Sequence, residues 1–418
     1  MRSLTLALAT LSLATVALAD WPRWRGADQT ARIPAGQPLP RQLPAQPRLV
    51  WAIPVGEGHA APVVSGGAVY YLDARDGMET AYRVDAATGR EVWRVQIDRL
   101  FTDYHSPPGP RAAPVVDGDR VYVQSCLGEL KCLDAATGRV LWRVNYVRDF
   151  GAPVPAEAGN AAGSSRHGYS GPPVIDGNRI IVTAGGPGAS LVCMDKRTGR
   201  VIWRSQNDAP GHLGPVVATL GGVRQVIAFT AEGLIGVALS DGALLWREPI
   251  RTRFGRHAMT PLVVGDVVVA GSWTAGLTGV RVTRADGRVR AERAWHIPTL
   301  GVNFSSPVAI GRMVYGLGPG NRLFCVDAST GRQVWVADRF FSGTVSTDWA
   351  AFMVAGNDLL IHTDSGQLLH VAVNEQGPTL RGQATVSGRN WCHPAYSGGR
   401  LFVRDGRELR CLELVPRQ

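Results

Sequence analysis

Lysine is almost missing from this chain: among 44 basic residues only Lys131 and Lys196 are lysines, so arginine carries the formal net charge of +10. The arginines are scattered and do not gather into basic runs interleaved with aromatics, which excludes the usual footprint of a nucleic-acid surface. Beyond residue 19 no uncharged apolar stretch approaches the roughly 20 residues that a membrane-spanning helix needs. Aromatics amount to 7% and no long segment keeps apolar residues at 3.6-residue spacing, so a helical fold is excluded too. Local metal-ligand spacings such as His-x-x-x-His are also absent, and any metal site has to be assembled by the fold.

Gly and Pro are abundant instead, at 50 and 27 residues, and they punctuate short β-rich runs. The first 19 residues stand apart: Arg2, an apolar run from Leu4 to Val16, and the small-x-small ending Ala17-Leu18-Ala19 read as an export leader cleaved near Ala19. A periplasmic or secreted protein is expected. Asp20 follows the expected cut where a lipid anchor would need Cys.

The rest of the chain repeats a phrase. Asp85-Ala86-Ala87-Thr88-Gly89 leads to Trp93, Asp134 through Gly138 leads to Trp142, and looser copies run from Asp195 to Trp203 and from Asp327 to Trp335. Closing tryptophans stand at 51, 93, 142, 203, 246, 295 and 335. A period of this size marks a repeat array, which extends one domain to this length. Each unit reads as four strands and three turns, opened by a Pro such as Pro114 and closed by the Trp. In the Asp-x-x-Thr-Gly turn, Asp and Thr bond nearby amides and Gly takes positive φ, so these residues are turn chemistry and not a carboxylate site.

A unit near Leu380 keeps the frame but lacks the Trp. The last unit, from Pro394, ends after three strands, whereas Pro47 to Trp51 is a closing strand with no unit before it. Pairing the two ends gives eight blades and leaves no open sheet edge. The expectation is an all-β, eight-bladed propeller of four-stranded antiparallel blades, closed by the N-terminal strand. The expected boundaries are 1–19 leader, 20–46 N-terminal extension and 47–418 a single propeller domain. Each Trp should wedge against a neighbouring blade, burying about 150 to 250 Å², or roughly 4 to 6 kcal/mol gross.

The unit resembles the pyrroloquinoline quinone (PQQ) repeat, Ala-x-Asp-x-x-Thr-Gly-x-x-x-Trp, over residues 47 to 414. Trp21-Pro22-Arg23-Trp24-Arg25-Gly26 is similar to the opening of exported PQQ-like propellers. The resemblance implies a propeller that hosts dehydrogenases, scaffolds and other roles. In blade count and length the chain is similar to the propeller subunit of the outer-membrane β-barrel assembly machinery. Quinoprotein dehydrogenases carry adjacent cysteines against the quinone, and no Cys-Cys pair exists here. Cys132, Cys193, Cys325 and Cys411 share one repeat position in different blades, too far apart for a bridge, and no disulfide is expected.

Residues not used by the repeat collect just before each opening Pro, where propeller chains pass from one blade to the next at the channel mouth. There stand Glu57 and His59; Arg111; His167, Tyr169 and Ser170; His212; Arg256 and His257; Asn303 and Phe304; Asp348 and Trp349; Asn390 and Trp391. Two long insertions, before Pro114 and Pro173, fall on the same face, and elaborated loops mark binding faces. The principal expectation is a monomeric, non-catalytic binding or scaffold protein without cofactor, taking a protein partner or small-molecule ligand at this mouth, with neither nucleic acid nor a transmembrane segment involved. The alternative is a PQQ- and Ca²⁺-dependent dehydrogenase of alcohols or sugars, with Asp348 as base, Asn303 and Glu57 at the metal, and Arg256 near the quinone oxygens. A second alternative is a metal-assisted lyase or hydrolase using His59, His212 and His257.

Overall fold

Alternating apolar runs broken by Gly turns fold as the repeat demands. The computed structural model describes residues 20–103, 106–155, 166–346 and 349–416. Eight four-stranded antiparallel sheets form a ring, an eight-bladed β-propeller. First strands of neighbouring blades touch around the channel, among them Val63–Ser65 with Val115–Asp117 and with Ala395–Ser397. The only helix among the described residues is the five-residue Tyr146–Phe150, capped by Asn145, in the insertion before blade 3.

The ring closes as the sequence implies. Arg48–Pro54 pairs with Glu408–Glu413 and completes the eighth blade from the opposite end of the chain.

The repeat phrase is consumed in folding. Asp85 Oδ1 accepts from Thr88 N at 2.8 Å and Thr88 Oγ1 at 2.7 Å, and Asp134 and Asp195 repeat the arrangement. Those hydroxyl bonds hold all three carboxyls below their ordinary range. The closing Trp reaches the following blade, where its Nε1 donates to the carbonyl just after that Asp: Trp51 to Ala86 O, Trp93 to Ala135 O, Trp142 to Lys196 O and Trp295 to Ala328 O. The indole lies on the turn glycine so closely that a Cβ on Gly89 would meet Trp51 at 2.9 Å and one on Gly138 would meet Trp93 at 2.9 Å. Glycine is therefore required twice, for φ of +74° at Gly89 and for the indole.

Blade 7 lacks the Trp, and Gly382 takes its place in register, opposite His370. Leu43 from the N-terminal extension packs at that glycine and is itself buried. The six cysteines are buried free thiols.

Residues 20–46 carry no repeat, and the stretch from Trp21 to Ile33 runs through the channel. The segment enters beside the first turn of blade 1, where Asp20 accepts from Ser65 Oγ and Gly66 N. It then bonds the first strands in succession: Trp21 to Val64, Pro22 O to Val116 N, and Arg23 to Ile175 O. At its far end the chain reverses through Arg25, Gly26, Gln29 and Ala31, all at positive φ. Ile33 returns along Val354, and the segment leaves where Gln37 accepts from Gly398 N in blade 8. Arg25 is buried at the reversal and donates to Gln29 O, Ser306 O and Pro307 O, at 3.1, 3.0 and 2.6 Å. Burial pushes its pKa down to about 10.

Candidate functional site

First strands of all eight blades start on one face of the ring, so the segments before them crowd around one opening. They enclose a cavity of about 410 Å³. Every blade contributes: His59, Arg111, His167, His212, Arg256, Phe304, Trp349 and Trp391 come from blades 1 to 8 in turn, and Trp24 rises into the cavity from the reversal of the extension.

Nine of the residues expected from the sequence thus line one space: His59, Arg111, His167, Ser170, His212, Arg256, Phe304, Trp349 and Trp391. The others do not join them. Tyr169 is buried and donates to Pro153 O at 2.7 Å, which fixes the insertion. His257 is buried against Phe229, with Nδ1 2.6 Å from Thr230 O, and does not reach the opening. Asn390 spends its amide on Ser387, Gly388 and Thr363. Glu57 pairs its backbone with Ala74. Asn303 lines a smaller cavity beside Trp273. Asp348 lies outside the described residues.

The cavity has two unlike sides. Blades 2 to 5 supply cations and imidazoles, whereas blades 6 to 8 supply Phe304, Trp349 and Trp391. Asp103, with no exposed side-chain surface, organises the first side. It accepts from Ser106 N at 2.8 Å and Arg111 Nη2 at 2.8 Å, and His167 Nδ1 lies 3.0 Å away. Arg111 also donates to His167 O, which ties the two insertions together. Arg111 is therefore structural as well as lining.

Arg166 and Arg256 are different. No carboxylate pairs with either among the described residues, and Arg166 rests on Phe254 with 5.6 Å between guanidinium and ring. Arg256 is pushed below its ordinary pKa by burial first and by the Arg166 charge second. The imidazoles stay neutral: burial is the main cause of the lowering at His212 and His167, and it takes His59 to about 3 with help from Arg404 and Arg111. His59 Nε2 is buried without a hydrogen-bond partner among the described residues, and its ring packs on Trp391 at 5.2 Å. The indole of Trp24 is oriented by a 2.9 Å bond from Nε1 to Thr260 Oγ1 and by an edge contact with His393.

Trp24 and Arg166 were not among the expected site residues. Nothing in a unique segment fixes where in the ring Trp24 falls. Arg166 adjoins the expected His167, and its position in the insertion was its only signal.

The family model described as outer membrane protein assembly factor BamB matches residues 77–337. The chain belongs to this family. BamB of Burkholderia pseudomallei is 26% identical over 248 residues, which cover 52% of this chain and 63% of the relative. BamB of Nitrosomonas eutropha is 24% identical over 294 residues, covering 69% of this chain and 54% of the relative. The chain thus spans less than two thirds of the length of each. Among solved structures, BamB from Moraxella catarrhalis superposes with a TM-score of 0.59 at 17% identity, covering 88% of this chain and 99% of that one. A quinohemoprotein alcohol dehydrogenase from Comamonas testosteroni gives 0.65 at 13%, covering 95% and 80%. At such identities both likenesses speak for the fold alone.

The dehydrogenase likeness raises the question of PQQ with Ca²⁺ for this BamB-family chain. Calcium takes six to eight oxygen ligands, with carboxylates prominent among them. No carboxylate lines the cavity among the described residues, Asn303 and Asn390 are directed elsewhere, and the charged side chains that line it are arginines. The described residues do not fit that metal. Nor do three His, Cys, Asp or Glu side chains converge at metal-binding distance among them, so His59, His212 and His257 form no such cluster.

Proposed function

We propose that this BamB-family propeller is an exported, non-catalytic binding protein that serves outer-membrane protein assembly and engages its partner through the channel-mouth face. One observation carries the reading: the side chains that folding does not consume meet at a single opening, to which all eight blades and the extension contribute. Repeat residues are spent on turns and blade contacts, and the opposite face carries mainly those turns. The BamB relatives supply the setting, and the export leader expected at residues 1–19 agrees with it. No helix among the described residues is long and apolar enough to cross a membrane.

The test is genetic. Deleting the gene in its own host should lower the amounts of outer-membrane β-barrel proteins, and the parent sequence should restore them. A variant with Leu213→Asp and Trp391→Ala at the mouth should fold but fail to restore them. Full restoration by that variant would remove the mouth from the account, and unchanged barrel proteins in the deletion strain would remove assembly.

A further inference from the structure

The division of the cavity into a cationic and an aromatic side calls for a ligand with the same division. We infer that the channel-mouth cavity binds a small organic anion, its charged head between Arg166 and Arg256 and its apolar body among Trp24, Trp349 and Trp391. The inference rests on the reading of the mouth as the binding face and adds a small ligand within its cavity.

The first support is the arginine pair. Two guanidiniums that face one space, with no carboxylate partner among the described residues, repel one another, and an anion relieves that repulsion while bonding both. Arg111 offers a contrast on the same wall, since Asp103 and Ser106 satisfy it at 2.8 and 2.7 Å. Of the three arginines that line the space, Arg111 is paired with Asp103, and Arg166 and Arg256 have no carboxylate among the described residues.

The second support is the neutral wall between them. His59, His167 and His212 are held uncharged by burial, so they add donors and acceptors without further charge, and His59 Nε2 has no hydrogen-bond partner among the described residues. An unpaired buried imidazole nitrogen costs free energy that a polar ligand atom recovers.

The third is size and construction. About 410 Å³ suits a ligand of about 20 non-hydrogen atoms and falls in the range of small-molecule sites. Trp24 is delivered to the cavity by the strained reversal around Arg25, where three non-glycine residues take positive φ. Such strain is retained where the surroundings over-determine it, here through the three carbonyls that hold Arg25.

Carboxylate and phosphate heads share this chemistry, and matched probes separate them. Titration calorimetry of the full mature protein with 2-naphthoate, 2-naphthyl phosphate and uncharged 2-naphthylmethanol should show an anion binding at least about tenfold more tightly than the alcohol, as loss of a charge-assisted bond implies. The preferred anion identifies the head group. R166A and R256A, which break no ion pair among the described residues, should each weaken the anion about tenfold while leaving the alcohol unchanged, and W24A should weaken all probes alike. Equal affinity for the alcohol, no binding of any probe, or indifference to both arginine substitutions would overturn the inference. Barrel-protein levels in cells carrying R166A and R256A report separately on the assembly role, so the two readings fail independently.

Discussion

Trp51 and Cys411 stand opposite one another across the seam of the ring, 360 residues apart in sequence, in the register that joins Trp142 to Cys132, Trp203 to Cys193 and Trp335 to Cys325 within single blades. The ring is closed by the same contact that builds its other members.

That seam predicts its own weak point. Trp51 is buried and reaches Ala86 in blade 1, so Trp51→Ala should destabilise the protein by about 3 to 5 kcal/mol. Urea unfolding measures it, and a loss below about 1 kcal/mol would mean that the seam is held elsewhere.

Leu43 and Gly382 offer a coupled test. Leu43 occupies the space at the Trp-register position of blade 7. Leu43→Ala should cost about 2 to 4 kcal/mol, and Gly382→Trp should destabilise by overpacking. In combination the two should cost less than their sum, because the indole enters the vacated space. A strictly additive double-mutant cycle would contradict the substitution of one element for the other.

The extension that runs through the channel should matter to stability. Arg25→Ala removes the partner of three buried carbonyls and leaves a cavity, a loss of about 3 kcal/mol or more. The same variant should make residues 20–46 accessible to protease under native conditions. Resistance equal to the parent would show that Arg25 does not hold the segment in place.

Buried titrating groups give a pH profile with opposing limbs. Burial raises Glu79 to about 7, against the pull of the Cys126 and Phe101 amides and Arg111, with Asp98 adding to the rise. Because the native value exceeds the unfolded one, its contribution is complete below about 4.5 and is lost as pH rises toward 7. Glu79→Gln should then be more stable than the parent at pH 8 and no more stable at pH 4.5. His59 and His362, both lowered to about 3, act in the other direction: their contribution is held above 6.5 and lost as pH falls from there toward 3. Melting temperatures of parent and Glu79→Gln across this range check both limbs, and parallel curves would refute the assignment of Glu79.

Fold and site differed in legibility for a physical reason. A turn such as Asp85 to Gly89 is local, its bonds spanning three residues, and its repetition announces blade after blade. Even the closure was readable, because Trp51 lacked a unit and the last unit lacked a strand. The mouth was readable as a set, since His59, Arg111, His212 and Trp391 occupy one repeat position. Individual roles were not: His257 and Tyr169 stand one residue earlier, four before Pro261 and Pro173, and turn into the protein through contacts with Phe229 and Pro153. The extension was opaque, since Trp24 and Arg25 meet partners more than 200 residues away that no local pattern encodes.

The central claim is that function resides on the mouth face. A photo-crosslinking residue placed at Leu213 or Phe304, on the mouth, and at Gly118 or Gly265, on the opposite turns, tests it in living cells. The account predicts adducts with an outer-membrane assembly partner from the two mouth positions and none from the two turns. Adducts from Gly118 and Gly265 with silence at Leu213 and Phe304 would contradict it.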